Sequence, residues 1–362
     1  MVEITSIKYS ESIEPLIDLH MASFKSNLSP KYWKWKFIEN PLARDDQEVV
    51  VAVEKGKIVG ARPHMLGEMW LKDKKARVAQ HCDTMVHPNY QRKGLFTRME
   101  LFALKQLLKQ GIAFSYGFPN TLSRSGFVKL GYKRVIDTMA VLRPINSYLL
   151  ISAKTKSKML ARTASFLFNL FLNRERRISF LENSPFEFEV LNKFNAAMEY
   201  VESVRTNAEV DLVRSKDFLR WRFDSHPTFE YRYILVKKNK KLLGYAVVSV
   251  QQDKNGIKIG RIIDHVVANS DIICYRHLIN KSLLELEDRD CDCYAVFVSG
   301  EPELEKALLK DFGFKSLAKF PYNRFMDDGY MDAIQINQQF CNNVDILNEK
   351  NWRVTYAFYN QT

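Results

Sequence analysis

The residues best suited to chemistry lie between Val78 and Arg98. An apolar run ends at Val86, a proline follows at Pro88, a glycine stands at Gly94, and a helix-forming stretch opens at Leu95. This order predicts a buried strand, a short loop and the start of a long helix. A loop that runs into a helix N-terminus leaves backbone N–H groups without intrahelical partners and adds the positive end of the helix dipole. A phosphate group can be held there by main chain alone. Gly94 allows a tight turn and close approach of a ligand to the backbone, and Arg92, Lys93 and Arg98 add three positive charges around the same spot. The stretch predicts an anion cradle.

The elements that must position the cradle read as follows. Residues 2–9 form an opening strand and Ser10 to Phe24 a helix with Ile13, Leu16, Ile17 and His20 on one face. Ser29 and Pro30 mark an N-cap and first turn, and Pro41 the stop, of a second helix carrying Trp33, Trp35 and Phe37. Strands are expected over 49–53, 58–65 and 68–71, then the strand leading to the cradle. Helix 96–110 closes at Gly111, strand 112–118 ends at Pro119, helix 120–130 ends at Gly131, and a strand runs on to about residue 142.

At Val86 to Phe96 the sequence resembles the coenzyme A pyrophosphate loop of the GNAT acyltransferase superfamily, which reads Gln or Arg, two residues, Gly, one residue, then Gly or Ala. Gln91 and Gly94 match and Phe96 departs. Gly126 to Tyr132 resembles that superfamily's last helix and turn, in the right order on the right element. The fold implied is a mixed α/β sheet of GNAT type.

Composition is consistent with this. The 362 residues are 46% hydrophobic and 27% charged, more than one domain usually holds. Five cysteines without framework spacing read as reduced thiols, and no His/Cys grouping has metal spacing, so no metal is expected. Met1 to Thr5 lacks the basic and apolar regions of a signal peptide, giving a cytoplasmic expectation. Net charge +12 favours anionic partners, but basic residues are not interleaved with aromatics as in a strand-binding groove, which argues against nucleic acid. Between 154 and 177 seven basic residues oppose only Glu175 around an apolar helical pattern. The segment reads as an amphipathic helix, packed between domains or lying on an anionic membrane surface, and too short and interrupted to span one.

The second half repeats the first. Ser29 to Pro41 aligns without gaps on Ser215 to Pro227 at a constant offset of 186, with Ser, Trp, Phe and Pro recurring in place. Gly60 matches Gly244, Asp83 matches Asp264, and Gly131 matches Gly313. An internal repeat of this kind implies two copies of one fold. Opposite the cradle the second copy offers Val267 to Arg276, with no glycine and an added Asp271. The organisation expected is a catalytic GNAT-like domain over 1–144, a basic connecting segment over 145–195, a degenerate GNAT-like copy over 196–332 without a coenzyme A loop, and a C-terminal extension over 333–362 that adds a helix and a strand to it.

The resemblance implies an acyl-CoA, acetyl-CoA first, as co-substrate and an amine of a small molecule, sugar or cell-envelope precursor as acceptor. Met85 and Val86 would line the pantetheine, Gln91, Arg92, Lys93, Gly94, Leu95, Phe96 and Thr97 the pyrophosphate, and Asn120 a further contact. Where the family often has a Tyr as general acid this chain has Phe127. Tyr116, Ser123, Ser125 or Tyr132 are the substitutes. His81 and Asp83, two apart and so expected on one strand face, and Glu68 on the preceding strand are the candidate bases. Trp33, which the repeat replaces by Leu219, is the candidate acceptor contact. Two other readings stay open: an aminoacyl-tRNA-dependent transferase, which also pairs two such folds, and a non-catalytic acyl-CoA-binding module.

Overall fold

The computed structural model describes residues 1–43, 47–137, 140–146, 160, 163, 165, 184–253, 256–316 and 330–358. Most of the expected amphipathic segment 154–177 lies outside them. Among the described residues no helix is long and apolar enough to cross a membrane.

The first half opens with β1 (Glu3–Lys8), α1 (Ile13–Phe24) and α2 (Pro30–Phe37). Ser29 caps α2 as its type predicts, its Oγ accepting from the Tyr32 amide at 3.1 Å. The helix ends at Phe37, short of the expected stop at Pro41. Next come β2 (Glu48–Glu54), β3 (Lys57–Arg62), β4 (His64–Leu71), β5 (Lys74–His81) and β6 (Met85–Val86). β3 passes into β4 at Pro63, and β5 into β6 through Cys82 to Thr84, so one bent hairpin serves two sheets. Then follow α3 (Leu95–Lys109), β7 (Phe114–Gly117), α4 (Arg124–Lys129), β8 (Lys133–Asp137) and β9 (Ala140–Pro144). α1 and α2 cover one face of the β1-β2-β3-β6 sheet through Leu16, Trp33 and Phe37, joined by Tyr9 from the turn before α1, and α3 covers the other through Leu95, Met99 and Ala103.

The second half repeats this order with β10 (Glu187–Leu191), β11 (Val210–Leu212), α5 (Lys216–Leu219), β12 (Arg232–Lys238), β13 (Lys241–Gln252), β14 (Lys258–Val267), α6 (Ile272–Glu287), β15 (Cys293–Phe297), α7 (Pro302–Asp311), β16 (Lys315–Ser316) and β17 (Tyr330–Gln335). Ser215 caps α5 as Ser29 caps α2, accepting from the Phe218 amide at 3.1 Å.

Each half gives its last strand to the other. β17 lies between β7 and β8 of the first half, and β9 between β15 and β16 of the second, while β11 extends the edge at β4. The expectation that residues 333–362 would add a helix and a strand to the second copy therefore needs correcting. Their strand residues complete the first half's sheet, and the described remainder to Phe358 forms only 3-10 turns and single bridges. The halves meet at Trp35 and Trp221, the repeat positions. Trp35 Nε1 donates to the Trp221 carbonyl at 2.8 Å, Trp221 Nε1 returns the bond to the Trp35 carbonyl at 2.7 Å, and the rings stack at 5.2 Å. Identical residues exchanging identical bonds is the signature of two-fold symmetry, so the repeat in sequence is a two-fold in space.

Candidate functional site

In the first half β5 and β7 run parallel from Ala79 and Ser115 to His81 and Gly117, and then part. Beyond that point β6 pairs only with β3 among the described residues. The two strands thus open a V, bounded by Cys82 to Val86 on one side and Phe118 to Asn120 on the other. Asp83 causes the parting. Its φ of +46° lies in the left-handed region that a non-glycine residue seldom adopts, and it breaks the strand there.

The cradle stands at the mouth of the V. Gly94 has φ +74° and Arg92 φ +60°, so the loop turns through left-handed backbone at both. A Cβ on Gly94 would meet nothing within 4 Å. The first helical bond of α3 runs from the Arg98 amide to the Gly94 carbonyl, which leaves the amides of Leu95, Phe96 and Thr97 at the open end. Gln91 Nε2 donates to the Val86 carbonyl at 3.2 Å and Lys93 Nζ to Asn89 at 2.9 Å, both bracing the loop. Arg92 is exposed, whereas Arg98 is spent on the Val2 carbonyl at 2.9 Å. Phe96, the departure from the family pattern, packs on α4: a Cβ at Gly126 would come within 2.7 Å of its ring, and Phe127 meets it edge-on at 5.0 Å.

Asn120 and Ser123 are joined. Asn120 Oδ1 accepts from the Leu122 and Ser123 amides at 3.1 and 3.0 Å and from Ser123 Oγ at 3.1 Å, starting the turn into α4. Ser125 is exposed on α4. Met85 faces α1 and α2, and Val86 faces α3.

His81 and Asp83 do not share a face, contrary to the two-residue spacing. The left-handed turn at Asp83 sends its carboxylate to the α2 side, where Lys36 Nζ donates to Oδ2 at 2.6 Å. His81 faces α3 and α4, its ring stacked on Phe127 at 4.2 Å and edge-on to Tyr132 at 5.0 Å. Lys36 is buried; burial disfavours its charge, but the Asp83 carboxylate outweighs this and holds the ammonium above its ordinary value. Beside His81, Arg62 forms a buried fork with Glu100, and the Tyr132 hydroxyl donates to Glu100 at 2.7 Å. Burial pushes up the Tyr132 phenol, and Glu100 adds to this. Burial likewise works to raise Glu100, but Arg62 wins and holds the carboxylate below its usual range.

The remaining candidates lie elsewhere. Tyr116 points to the opposite sheet face, packed against Trp352 and Phe358, and burial raises its phenol. Glu68 pairs across β4 and β5 with Arg77, four residues or about 13 Å along the strand from His81. Trp33 is fully buried between Tyr9 and Phe37, in core rather than on an open surface. Sequence reasoning missed Lys36, Glu100 and Asp332. Lys36 alone had a signal, since its repeat partner Arg222 is a second buried cation. None of the five cysteines forms a disulfide, and all are buried. Among the described residues no group of three His, Cys, Asp or Glu side chains could hold a metal ion.

The equivalent V of the second half is filled by the chain itself. β14 and β15 part after Ile262 and Val296, and the segment Trp352 to Thr355 enters the gap. The Val354 amide donates to the Ser299 carbonyl at 3.1 Å, and Thr355 Oγ1 to Asp264 at 2.8 Å. Arg353 donates to the His265 carbonyl and to Glu301 Oε1, the latter at 3.1 Å. By the repeat, Ser299 and His265 stand where Asn120 and Thr84 flank the first V. His265 Nε2 donates to the Phe297 carbonyl at 3.3 Å and its Nδ1 accepts from Arg353, as a neutral imidazole does. The first V carries the cradle; the second is plugged by Trp352 to Thr355 and lacks one.

This arrangement of splayed parallel strands, a glycine turn and helix-end amides defines an acyltransferase fold of GNAT type. Residues 3–135 match the family described as acetyltransferase (GNAT) domain. The chain as a whole has the tandem form of that fold. It is similar to a GCN5-related N-acetyltransferase from Anabaena variabilis (14% identity, TM-score 0.58, covering 92% of this chain and 73% of that one). It is similar also to a tandem GNAT protein from the clavulanic acid biosynthesis pathway (10%, 0.56, 93% and 99%). A third similar structure is Saccharomyces cerevisiae N-myristoyltransferase with bound myristoyl-CoA (12%, 0.56, 92% and 82%). No curated protein matches the sequence.

Proposed function

We propose that the chain is an acyl-CoA-dependent N-acyltransferase with one donor site, in the first half, acting in the cytoplasm on an amine of a small molecule, sugar or cell-envelope precursor. The carrying observation is the contrast between the two V-shaped openings. The first leads into the left-handed glycine turn and the helix-end amides of Leu95, Phe96 and Thr97, which suit the pyrophosphate of coenzyme A. The second has its Ser299 and His265 carbonyls bonded to Val354 and Arg353, and its helix-end amides capped by Asp271. Gln91 to Thr97 would hold the pyrophosphate, and Thr84 to Val86 with Asn120 the pantetheine arm. Bound there, acyl-CoA supplies an activated acyl group with a thiolate leaving group. The residues of the chain orient the donor and manage protons.

Acetyl-CoA is the first donor to test. The myristoyl-CoA in the yeast neighbour makes chain length worth scanning. Thiol release from C2 to C14 acyl-CoAs over a panel of amines checks the reading. Donor-dependent release that also requires an amine supports it; no binding of any acyl-CoA overturns it.

A further inference from the structure

Three residues lie side by side across the first half's sheet where β5 and β7 part: His81 on β5, Gly117 on β7 and Asp332 on β17. His81 Nε2 is 3.2 Å from Asp332 Oδ1. The two residues are 4% and 1% exposed, and neither imidazole nitrogen nor either carboxylate oxygen has a hydrogen bond of good geometry. Gly117 makes the row possible, because a Cβ there would come within 2.2 Å of His81 Nε2. A buried histidine facing a buried carboxylate, both short of partners, is costly to keep.

The second half shows what the fold does when the row has no other task. The same three positions are Ile262 on β14, Val296 on β15 and Val141 on β9, all within one apolar core. The sheet packs well with Ile, Val and Val. The first half instead keeps His, Gly and Asp, next to the residue where the family's tyrosine is missing: His81 stacks on Phe127.

Resting on the acyltransferase reading above, we propose that His81 is the general acid for the departing thiolate and that Asp332, delivered by the second half, is its positioning residue. The acceptor nitrogen bonds to the acyl carbon and the C–S bond breaks. The electron pair leaves on sulfur, which takes its proton from the His81 imidazolium. The amine's surplus proton goes to solvent, and solvent reprotonates His81. Asp332 stabilises the imidazolium between turnovers. The other groups facing His81 are Glu100 of α3 with its Arg62 partner, the Tyr132 hydroxyl, and His64 across the strand pair. The first half's site is thereby incomplete without a strand of the second.

The test uses the full chain. Asp332→Asn should leave the Kd for acetyl-CoA within twofold and lower kcat at least tenfold. It should also move the alkaline limb of the kcat profile to lower pH, because the imidazolium loses its counter-charge. The combined variant His81→Ile, Gly117→Val, Asp332→Val copies the second half's row and should keep or raise Tm while abolishing turnover. Unchanged kcat and pH profile in folded Asp332→Asn, or turnover surviving in the combined variant, would overturn the assignment. Wild-type chain that binds no acyl-CoA defeats the acyltransferase reading itself, a separate result from a binding-competent wild type whose turnover ignores Asp332.

Discussion

A lysine ammonium buried in a helix of aromatic residues needs a counter-charge, and Asp83 supplies it. Lys36 is 1% exposed and reaches the carboxylate at 2.6 Å. Removing one partner of a buried pair strands the other's charge. Lys36→Met should therefore destabilise the protein by about 3 kcal/mol, read by urea denaturation, and a change within the error of the method would show that Asp83 is well solvated without it. Asp83 itself was legible as a polar residue on the cradle strand. Its partner and its direction were not, because a strand pattern assumes regular alternation and the left-handed turn at Asp83 ends that alternation. Asp332 was illegible for another reason: its contact with His81 depends on which sheet receives β17, and local sequence carries no record of that.

Among the elements, those announced by local chemistry were the readable ones. Ser29 and Ser215 start their helices where their type predicts, and Gly94 begins α3 within a residue of expectation. The cradle followed from the same rules. Strand exchange did not, since pairing partners far apart in sequence leave no periodicity. The repeat nonetheless pointed to the symmetric contact. Trp35→Phe and Trp221→Phe each remove an indole donor from a buried carbonyl and should cost about 1–3 kcal/mol apiece, by similar amounts. Because both bonds share one ring stack, the double variant should cost less than the sum. Chemical denaturation of the four proteins checks this, and strongly unequal single losses would contradict a two-fold contact.

For the whole molecule, burial sets an acid limit on stability. His64 and His265 are pushed down to about 3, by burial first and then by Arg62 and Arg353 respectively. Both stay neutral in the fold while the unfolded chain binds protons below its ordinary histidine value near 6.5. Stability is thus full above pH 6.5 and falls as pH drops from there toward 3, by about 1.4 kcal/mol per pH unit for each histidine. Tm measured between pH 7.5 and 4.5 should fall on the acid side, and a flat profile would mean that these imidazoles reach solvent. The plug at Trp352 to Thr355 belongs to this scale too, because it closes the second of two related openings, which leaves the proposed donor site to the first. Titration calorimetry with acetyl-CoA tests this most directly. One equivalent per chain should bind, and Gly94→Glu, which sets a carboxylate in the open cradle, should abolish it. Two equivalents per chain, or binding that survives Gly94→Glu unchanged, would contradict the account.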